Sequence, residues 1–383
     1  MRKRIALFLA TLMTVAAITG CGSANPPSKP SVGDGGNVSS ENSTESENAK
    51  AADGERLLGA IIWSTDDGLG ADSREAIDAT AAALGMKVIY RTGAFDAEAQ
   101  TTDIENLIAA GVEGILITPL VDVSIDEYMK VCETAGIPMQ IMFRNIIDEE
   151  AYDYCMASDL FAGYVVEDEA AAAVDMIDKM IADGCTTIGL LNREAGNGVV
   201  DRRQQGAIAY LEDKGIKYYT TTLSSTASAA DAADSTAQLL AAYSDIDGLL
   251  LSSGSNGVVD GIITYLEGTD VRLASFDTPA DIVSSFDAGN LSMLTTGAQI
   301  DPVFATINLY NKLNGTPFSD APTEINSNYI YLENTEDTKL YREHFDTFKT
   351  YSKEEIVNLS QMDYNDFLAE VAKYNLHSVA DKK

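Results

Sequence analysis

The chain has 383 residues, 59 Asp plus Glu against 26 Lys plus Arg, a net charge of −33, and 45% hydrophobic residues. That acidity excludes a nucleic-acid binder or a protein held on anionic lipid by basic patches, since both partners need cationic surface to neutralise them. The apolar content excludes global disorder, and the length fits two domains. With only His344 and His377, both near the C-terminus, histidine-based metal and triad chemistry lacks its groups, and neither a metal nor a cofactor is expected.

Residues 1–20 read as an export signal. Arg2, Lys3 and Arg4 form a basic start, and Ile5 to Ile18 is an apolar stretch too short for a comfortable membrane span. It ends Ile18-Thr19-Gly20-Cys21, which resembles the bacterial lipobox, where cleavage precedes the cysteine and its sulfur receives diacylglycerol. Residues 21–54 then form the lipid anchor and linker. Pro, Gly, Ser, Asn and Glu with almost no large apolar side chain cannot offset the entropy of ordering. A lipid on Cys21 would hold the folded body at the extracytoplasmic face of the cell membrane. Cys132, Cys155 and Cys185 match neither CxxC nor a zinc ligand set, so buried thiols are expected, with a single disulfide left open by the exported compartment.

From Leu57 short apolar runs alternate with amphipathic stretches. The strand 57–63 leads into a helix over 71–84, with Ile77, Ala81 and Leu84 on one face and Gly85 as stop signal. The strand 87–90 precedes a helix capped by Asp96, carrying Ile104, Leu107 and Ile108, and ending at Gly111. Further strands are expected at 114–118, 138–142, 187–191, 217–221, 248–252, 272–276 and 291–295. Apolar strands alternating with helices make an α/β fold of doubly wound parallel sheets. Ligands of such sheets sit beyond the carboxyl ends of the strands. Residues 341–383, charged and Tyr-rich, read as a C-terminal helical extension with no assigned role.

The first strand ends in the turn Trp63-Ser64-Thr65-Asp66-Asp67-Gly68-Leu69-Gly70. It lacks the third glycine of a dinucleotide fingerprint, and its two carboxylates would repel a pyrophosphate. Asp66, Asp67 and Asp72 do not match a calcium loop either. An acidic pair on a helix-opening turn more often caps the helix than does acid–base work.

Taken in order, WSTDDGLGADSREAIDATAAALG, AAGVEGILITP, AGIPMQIMFRN, MASD, DRRQQGAIAYLEDKGIK, LASFDTP and DAGNLSMLTTG resemble the type I periplasmic binding proteins, in their ribose and glucose/galactose branch. The resemblance covers about residues 57–325 and lies in the order and spacing of the segments. It implies two doubly wound domains joined by a three-crossover hinge, closing on a small ligand and delivering it to an ABC importer. In that frame 55–158 and 298–326 form the N-terminal domain, and 159–297 and 327–340 the C-terminal domain, with crossovers near Ser158, Gly297 and Ser327.

The resemblance also implies ligand contacts. Asp67 falls on a carboxylate that accepts from sugar hydroxyls, Arg144 on the basic residue after the fourth strand, Arg203 on the arginine of the second domain's ligand-facing helix, and Asp277 on the Asp of an FD pair. Carboxylates accept from hydroxyls and planar guanidinium donates to ring oxygens, so the set is chemically coherent. Plainer readings stand beside each: Asp67 as a helix cap, Arg144 as a surface partner of Asp148, Arg203 as an exposed helix cation, Asp277 as a turn before Pro279. Trp63, the only tryptophan, suits stacking on sugar CH groups and core packing about equally. Phe143 stands where these sugar binders carry Asp or Asn, and Leu69 replaces an aromatic platform. Gly297 replaces a polar hinge contact, with Gln299 two residues on as a substitute, and Ser255 lies in a polar contact segment.

The expectation is a lipid-anchored, extracytoplasmic solute-binding protein and not an enzyme. It is a monomer with a sugar-like small molecule as ligand and an ABC permease as partner, touching membrane only through its lipid and binding no nucleic acid. A ligand-sensing receptor subunit for a sensor kinase or chemoreceptor fits every feature equally. An exported hydrolase lacks a G-x-S-x-G elbow and any histidine near a strand end, and a LacI-type regulator lacks its basic helix-turn-helix.

Overall fold

In the computed structural model, which describes residues 56–65, 68–93, 96–120, 124–255, 257–345 and 351–380, the apolar runs form two six-stranded sheets. The export signal, Cys21, the linker, Asp66 and Asp67 lie outside the described residues. The first sheet contains β1 (Arg56–Ile62), β2 (Met86–Thr92), β3 (Gly114–Ile117), β4 (Met139–Met142), β5 (Phe161–Glu167) and β11 (Thr323–Ser327), in the order β2-β1-β3-β4-β5-β11. All its pairs are parallel. The second contains β6 (Thr187–Arg193), β7 (Lys217–Leu223), β8 (Gly248–Leu251), β9 (Arg272–Phe276), β10 (Leu291–Thr296) and β12 (Ile330–Leu332), in the order β7-β6-β8-β9-β10-β12. Only its edge strand β12 runs antiparallel, against β10.

Every residue of β3, β4 and β8 is buried, as helices on both sheet faces require. The covering helices of the first sheet are α1 (Gly68–Ala83), α2 (Ala97–Ala109), α3 (Ile125–Ala135) and α4 (Glu149–Met156). Those of the second are α5 (Glu169–Ala182), α6 (Gly198–Lys214), α7 (Ala229–Ala242) and α8 (Val258–Leu266), while α9 (Asp301–Leu313) returns to pack on β3, β4 and β5. Local signals act as read: the Asp96 carboxylate accepts from the Ala99 N–H at 2.8 Å, and α2 buries Ile104 and Leu107. Cys132, Cys155 and Cys185 are buried free thiols. Burial pushes Cys132 and Cys155 up to about 12 and Cys185 up to about 11, which keeps them protonated and unreactive.

The first passage between sheets does not fall near Ser158. The run FAGYVVE forms β5, buried at all seven positions and paired with β4 and β11, so the chain leaves the first sheet at Asp168. Gly163 permits this pairing: with φ +131° it lies where a Cβ would sit 2.0 Å from the Thr323 carbonyl oxygen. Ser158 has a different role, its hydroxyl donating to Glu133 at 2.5 Å. The second and third passages occupy 297–300 and 328–329. At the C-terminus the chain forms α10 (Thr335–Phe345), α11 (Lys353–Ser360), α12 (Tyr364–Val371) and α13 (Leu376–Ala380), so the helical extension begins before residue 341.

Candidate functional site

A cleft of about 860 Å³ opens at the carboxyl ends of both sheets. In each sheet β1 or β6 is central to a reversal of strand order, the switch point at which doubly wound sheets leave a crevice. One wall carries Trp63 after β1, Leu69 and Asp72 of α1, and Phe143 and Arg144 after β4. The facing wall carries Arg203 of α6, Ser253 to Ser255 after β8, Asp260 of α8 and Asp277 after β9. Glu167, Glu169, Thr295, Gln299 and Tyr329, in or beside the passages between sheets, complete its lining.

Seven of the eight ligand-site residues expected from the sequence line this cleft together: Trp63, Phe143, Arg144, Arg203, Ser255, Asp277 and Gln299. Asp67 is the eighth, outside the described residues. Trp63 meets Phe143 edge to face, ring centroids 5.4 Å apart, and both packs on the core and lines the cleft. Arg144 donates to the Phe143 carbonyl at 2.8 Å, while Asp148 caps α4 by accepting from the Ala151 N–H.

Arg203 is not an exposed cation. It is 8% exposed, its Nε donates to Glu169 at 2.6 Å, Nη1 to the Ser252 carbonyl at 3.0 Å and Nη2 to the Tyr329 hydroxyl at 2.6 Å. The guanidinium also lies 4.1 Å from the centroid of the Phe276 ring. Burial disfavours its charge, but Glu169, Tyr329 and Asp277 more than offset that and raise its pKa. Asp277 accepts from the Gly254 N–H at 2.8 Å and so ties the ends of β8 and β9 together.

Several residues of the site carried no sequence signal. Arg193, which is buried, donates to the carbonyls of Ser224, Ser253 and Ser255 at 2.7, 3.1 and 3.3 Å and fixes the 253–255 loop. Glu167 and Thr295 line the cleft while the buried Glu167 Oε1 and Thr295 Oγ1 have no hydrogen-bond partner among the described residues. Buried polar atoms are nearly always paired, so the Thr295 hydroxyl marks a place for a ligand group or water, while Glu167 sits beside the buried Asp301 carboxyl. Tyr341 and Arg342 enter the cleft from α10, a segment whose sequence shows only an amphipathic surface helix.

Two doubly wound sheets, three passages between them and a polar, aromatic cleft at their carboxyl ends define a two-lobed solute-binding fold. The chain belongs to the periplasmic binding protein domain family, which matches residues 58–315. Among similar solved structures is an ABC transporter solute-binding protein of Agrobacterium vitis bound to α-D-tagatopyranose, at 20% identity and TM-score 0.62, covering 74% of this chain and 96% of its own. A periplasmic solute-binding protein of Actinobacillus succinogenes with D-allose matches at 17% identity and TM-score 0.63, covering 75% of this chain and 100% of its own. One of Bacillus halodurans with myo-inositol matches at 18% identity and TM-score 0.62, over 77% of this chain and 99% of its own. No curated protein sequence matches this chain.

Proposed function

We propose that this protein captures a sugar or related polyol between its lobes and hands it to an ABC importer. The observation that carries the reading is the cleft itself, in which the Trp63–Phe143 pair offers an apolar face and Arg144, Arg203 and Asp277 offer charged donors and acceptors. Apolar rings beside a few convergent polar groups suit a ring that is hydrophobic on one face and hydroxylated at its rim. The ligands of the three structural neighbours, tagatopyranose, allose and inositol, are all neutral polyhydroxylated rings. Neutrality fits here as well: Glu169 is already matched by Arg203, and Asp260 and Asp277 accept from backbone N–H groups of Ala280 and Gly254. A strongly charged ligand would leave one sign unpaired in a dry site.

The mechanism is closure. A ligand that touches residues 63–72 and 143–144 of one lobe and residues 203, 253–260 and 277 of the other stabilises the closed state by its differential affinity for it, and a transporter reads that state. The N-terminal segment supplies the address, with Cys21 carrying the lipid and the linker spacing the lobes from the membrane. The protein acts as a monomer, and Trp63, Phe143, Arg144, Arg203, Ser255, Asp277 and Gln299 are its ligand-facing set, joined by Asp67 from the turn before α1.

Thermal unfolding in the presence of monosaccharides, polyols and nucleosides is the direct test, because a ligand of the native state raises stability by RT ln(1 + [L]/Kd). A rise in Tm with a pentose, hexose or inositol supports the reading; a rise only with amino acids or nucleosides overturns the sugar class. Cys21→Ser tests the address, and continued membrane retention of that variant would remove the lipid anchor from the proposal.

A further inference from the structure

The three structural neighbours are matched over nearly their whole length, yet span only 74–77% of this chain, and the family match ends at residue 315. The family match ends before the C-terminal helices begin, and the contacts of those helices are specific. From α10, Thr338 donates to the Val283 carbonyl and Thr335 to Asp287, both in the second lobe. From the later helices, α11 packs on α1 and α9, and α12 on β11, all in the first lobe. Phe367 is fully buried, its ring stacked 4.3 Å from Phe318 and set edge to face 5.7 Å from Phe304.

Between these two anchorages the extension holds the passages on which the lobes turn. Thr296 Oγ1 and Gln299 Nε2 donate to the Tyr341 hydroxyl at 2.9 and 3.0 Å, and the buried Tyr374 hydroxyl donates to the Gly297 carbonyl at 3.3 Å. At the third passage Asn328 Nδ2 donates to the Ala372 carbonyl at 3.0 Å. Gly297 has φ +96°, and a Cβ there would lie 2.8 Å from Ile330, so the second passage presses on the start of β12 beside the place where the extension grips it. Tyr341 and Arg342 also line the cleft.

We propose that the C-terminal helices complete the binding site: they clamp the second and third passages between lobes and supply Tyr341 and Arg342 as a hinge-side wall that selects the ligand. Hinge rotation changes backbone dihedrals at 297–300 and 328–329, and each bond from Tyr341, Tyr374 and Ala372 must yield or travel with it. The extension thus sets how far the lobes part in the resting state, and its two cleft residues move with the hinge. That Tyr341 and Arg342 meet a sugar rests on the sugar-binding reading; the clamp does not.

Trp63 is the only tryptophan and lies in the cleft, so its fluorescence in the full chain reports cleft opening without a label or ligand. Acrylamide quenching of Trp63 is compared between the wild-type chain and a Tyr341→Phe, Tyr374→Phe double variant, with far-ultraviolet circular dichroism as the check on folding. The quenching constant is expected to rise by about twofold or more as the open population grows. An unchanged constant in a folded variant overturns the clamp; should the double variant not fold, Tyr341→Phe alone, at a half-buried residue, decides the same question. The second arm titrates D-allose, D-tagatose, D-ribose and myo-inositol. For any that binds the wild type, Arg342→Gln is expected to weaken binding at least about tenfold, unequally among the sugars. Equal affinities throughout would remove the wall. If no sugar binds the wild type, the sugar reading fails, and the quenching result still decides the clamp.

Discussion

Phe143 and Asp277 occupy the same place in the two lobes. Each directly follows its lobe's fourth strand, β4 or β9, each lines the cleft, and they are the only two non-glycine residues with positive φ among those described, at 61° and 71°. Left-handed backbone at a bulky or charged residue costs on the order of 1 kcal/mol or more and persists where the surroundings over-determine it. Here the sharp turn aims one side chain per lobe into the space between sheets, the aromatic from one and the carboxylate from the other.

The strain and the hydrogen bond at Asp277 can be tested by substitution. Asp277→Asn keeps a residue that tolerates the left-handed region and an oxygen for the Gly254 N–H, so stability should fall by less than about 1 kcal/mol. Asp277→Ala removes that acceptor at an exposed residue and tolerates the left-handed backbone less well than Asp, so a larger loss of about 1–2 kcal/mol is expected. Urea unfolding of the two variants measures the difference, and equal losses would show that the carboxylate does not hold the 253–255 loop.

Arg203 joins three elements, because Glu169 begins α5, Ser252 follows β8 and Tyr329 lies in the third passage. Arg203→Ala leaves the buried Glu169 carboxylate uncompensated, and a loss of about 3–5 kcal/mol is expected. Paired replacement, Arg203→Met with Glu169→Gln, should cost clearly less than the sum of the singles. Simple additivity in chemical denaturation would mean that the two residues are not one unit.

How much of this was legible follows the physics of each signal. The nine strands were found near their expected bounds. In β1, β3, β4, β6, β8, β9 and β10 nearly continuous burial is written mostly as apolar residues, while the edge strands β2 and β7, only partly buried, were legible from Val, Ile, Tyr and Thr. Strand β5 is just as buried, but Gly163 interrupts its apolar run and Glu167 ends it in a charge, so it passed as part of a connection. Edge strand β11 alternates buried and exposed residues, and β12 has three residues, too short for any period. In the site, residues at strand ends could be located because the fold dictates where strands end. Glu169, Tyr329 and Tyr341 could not, since their partners lie 34, 126 and 45 residues away and only the folded passages bring them together.

Glu167 and Asp301 predict a pH dependence. Both are fully buried beside passages between lobes, and the Ser327 hydroxyl donates to Asp301. Burial, then the Asp301 and Glu169 charges, raises Glu167 well above the usual carboxylate range. Burial pushes Asp301 up to about 7, against donation from Ser327 and Glu167. A carboxyl raised in the folded state binds its proton more tightly there than in the unfolded chain, so its contribution to stability is complete below about pH 4 and is lost as pH rises through about 7. The pair titrates as a unit, and each proton held contributes up to about 1.4 kcal/mol per pH unit across that window. Unfolding free energy measured from pH 4.5 to 8 should therefore carry a downward component that Asp301→Asn diminishes. An identical pH slope in the variant would show that the pair is ionised throughout.

The last prediction returns to Phe143. Asn at this position accepts the left-handed backbone more readily than Phe, so part of the strain is relieved. Against that, Phe143→Asn deletes an aromatic edge contact with Trp63 worth about 0.5–1.5 kcal/mol and removes a ring that is 5% exposed. Burial outweighs strain, and a net loss of about 2 kcal/mol in stability is expected. Binding should move the other way for the most hydroxylated ligands. The variant gains an amide that both donates and accepts at the cleft wall, while the aromatic pair there shrinks to Trp63. Affinity for D-allose should therefore rise relative to that for a deoxy sugar such as D-fucose, by at least about fivefold in the ratio of dissociation constants, or roughly 1 kcal/mol. Titration calorimetry of both sugars with both proteins reads that ratio directly. A ratio that does not change would mean that Phe143 serves the turn and the core beneath Trp63 and leaves ligand choice to the other side chains of the cleft.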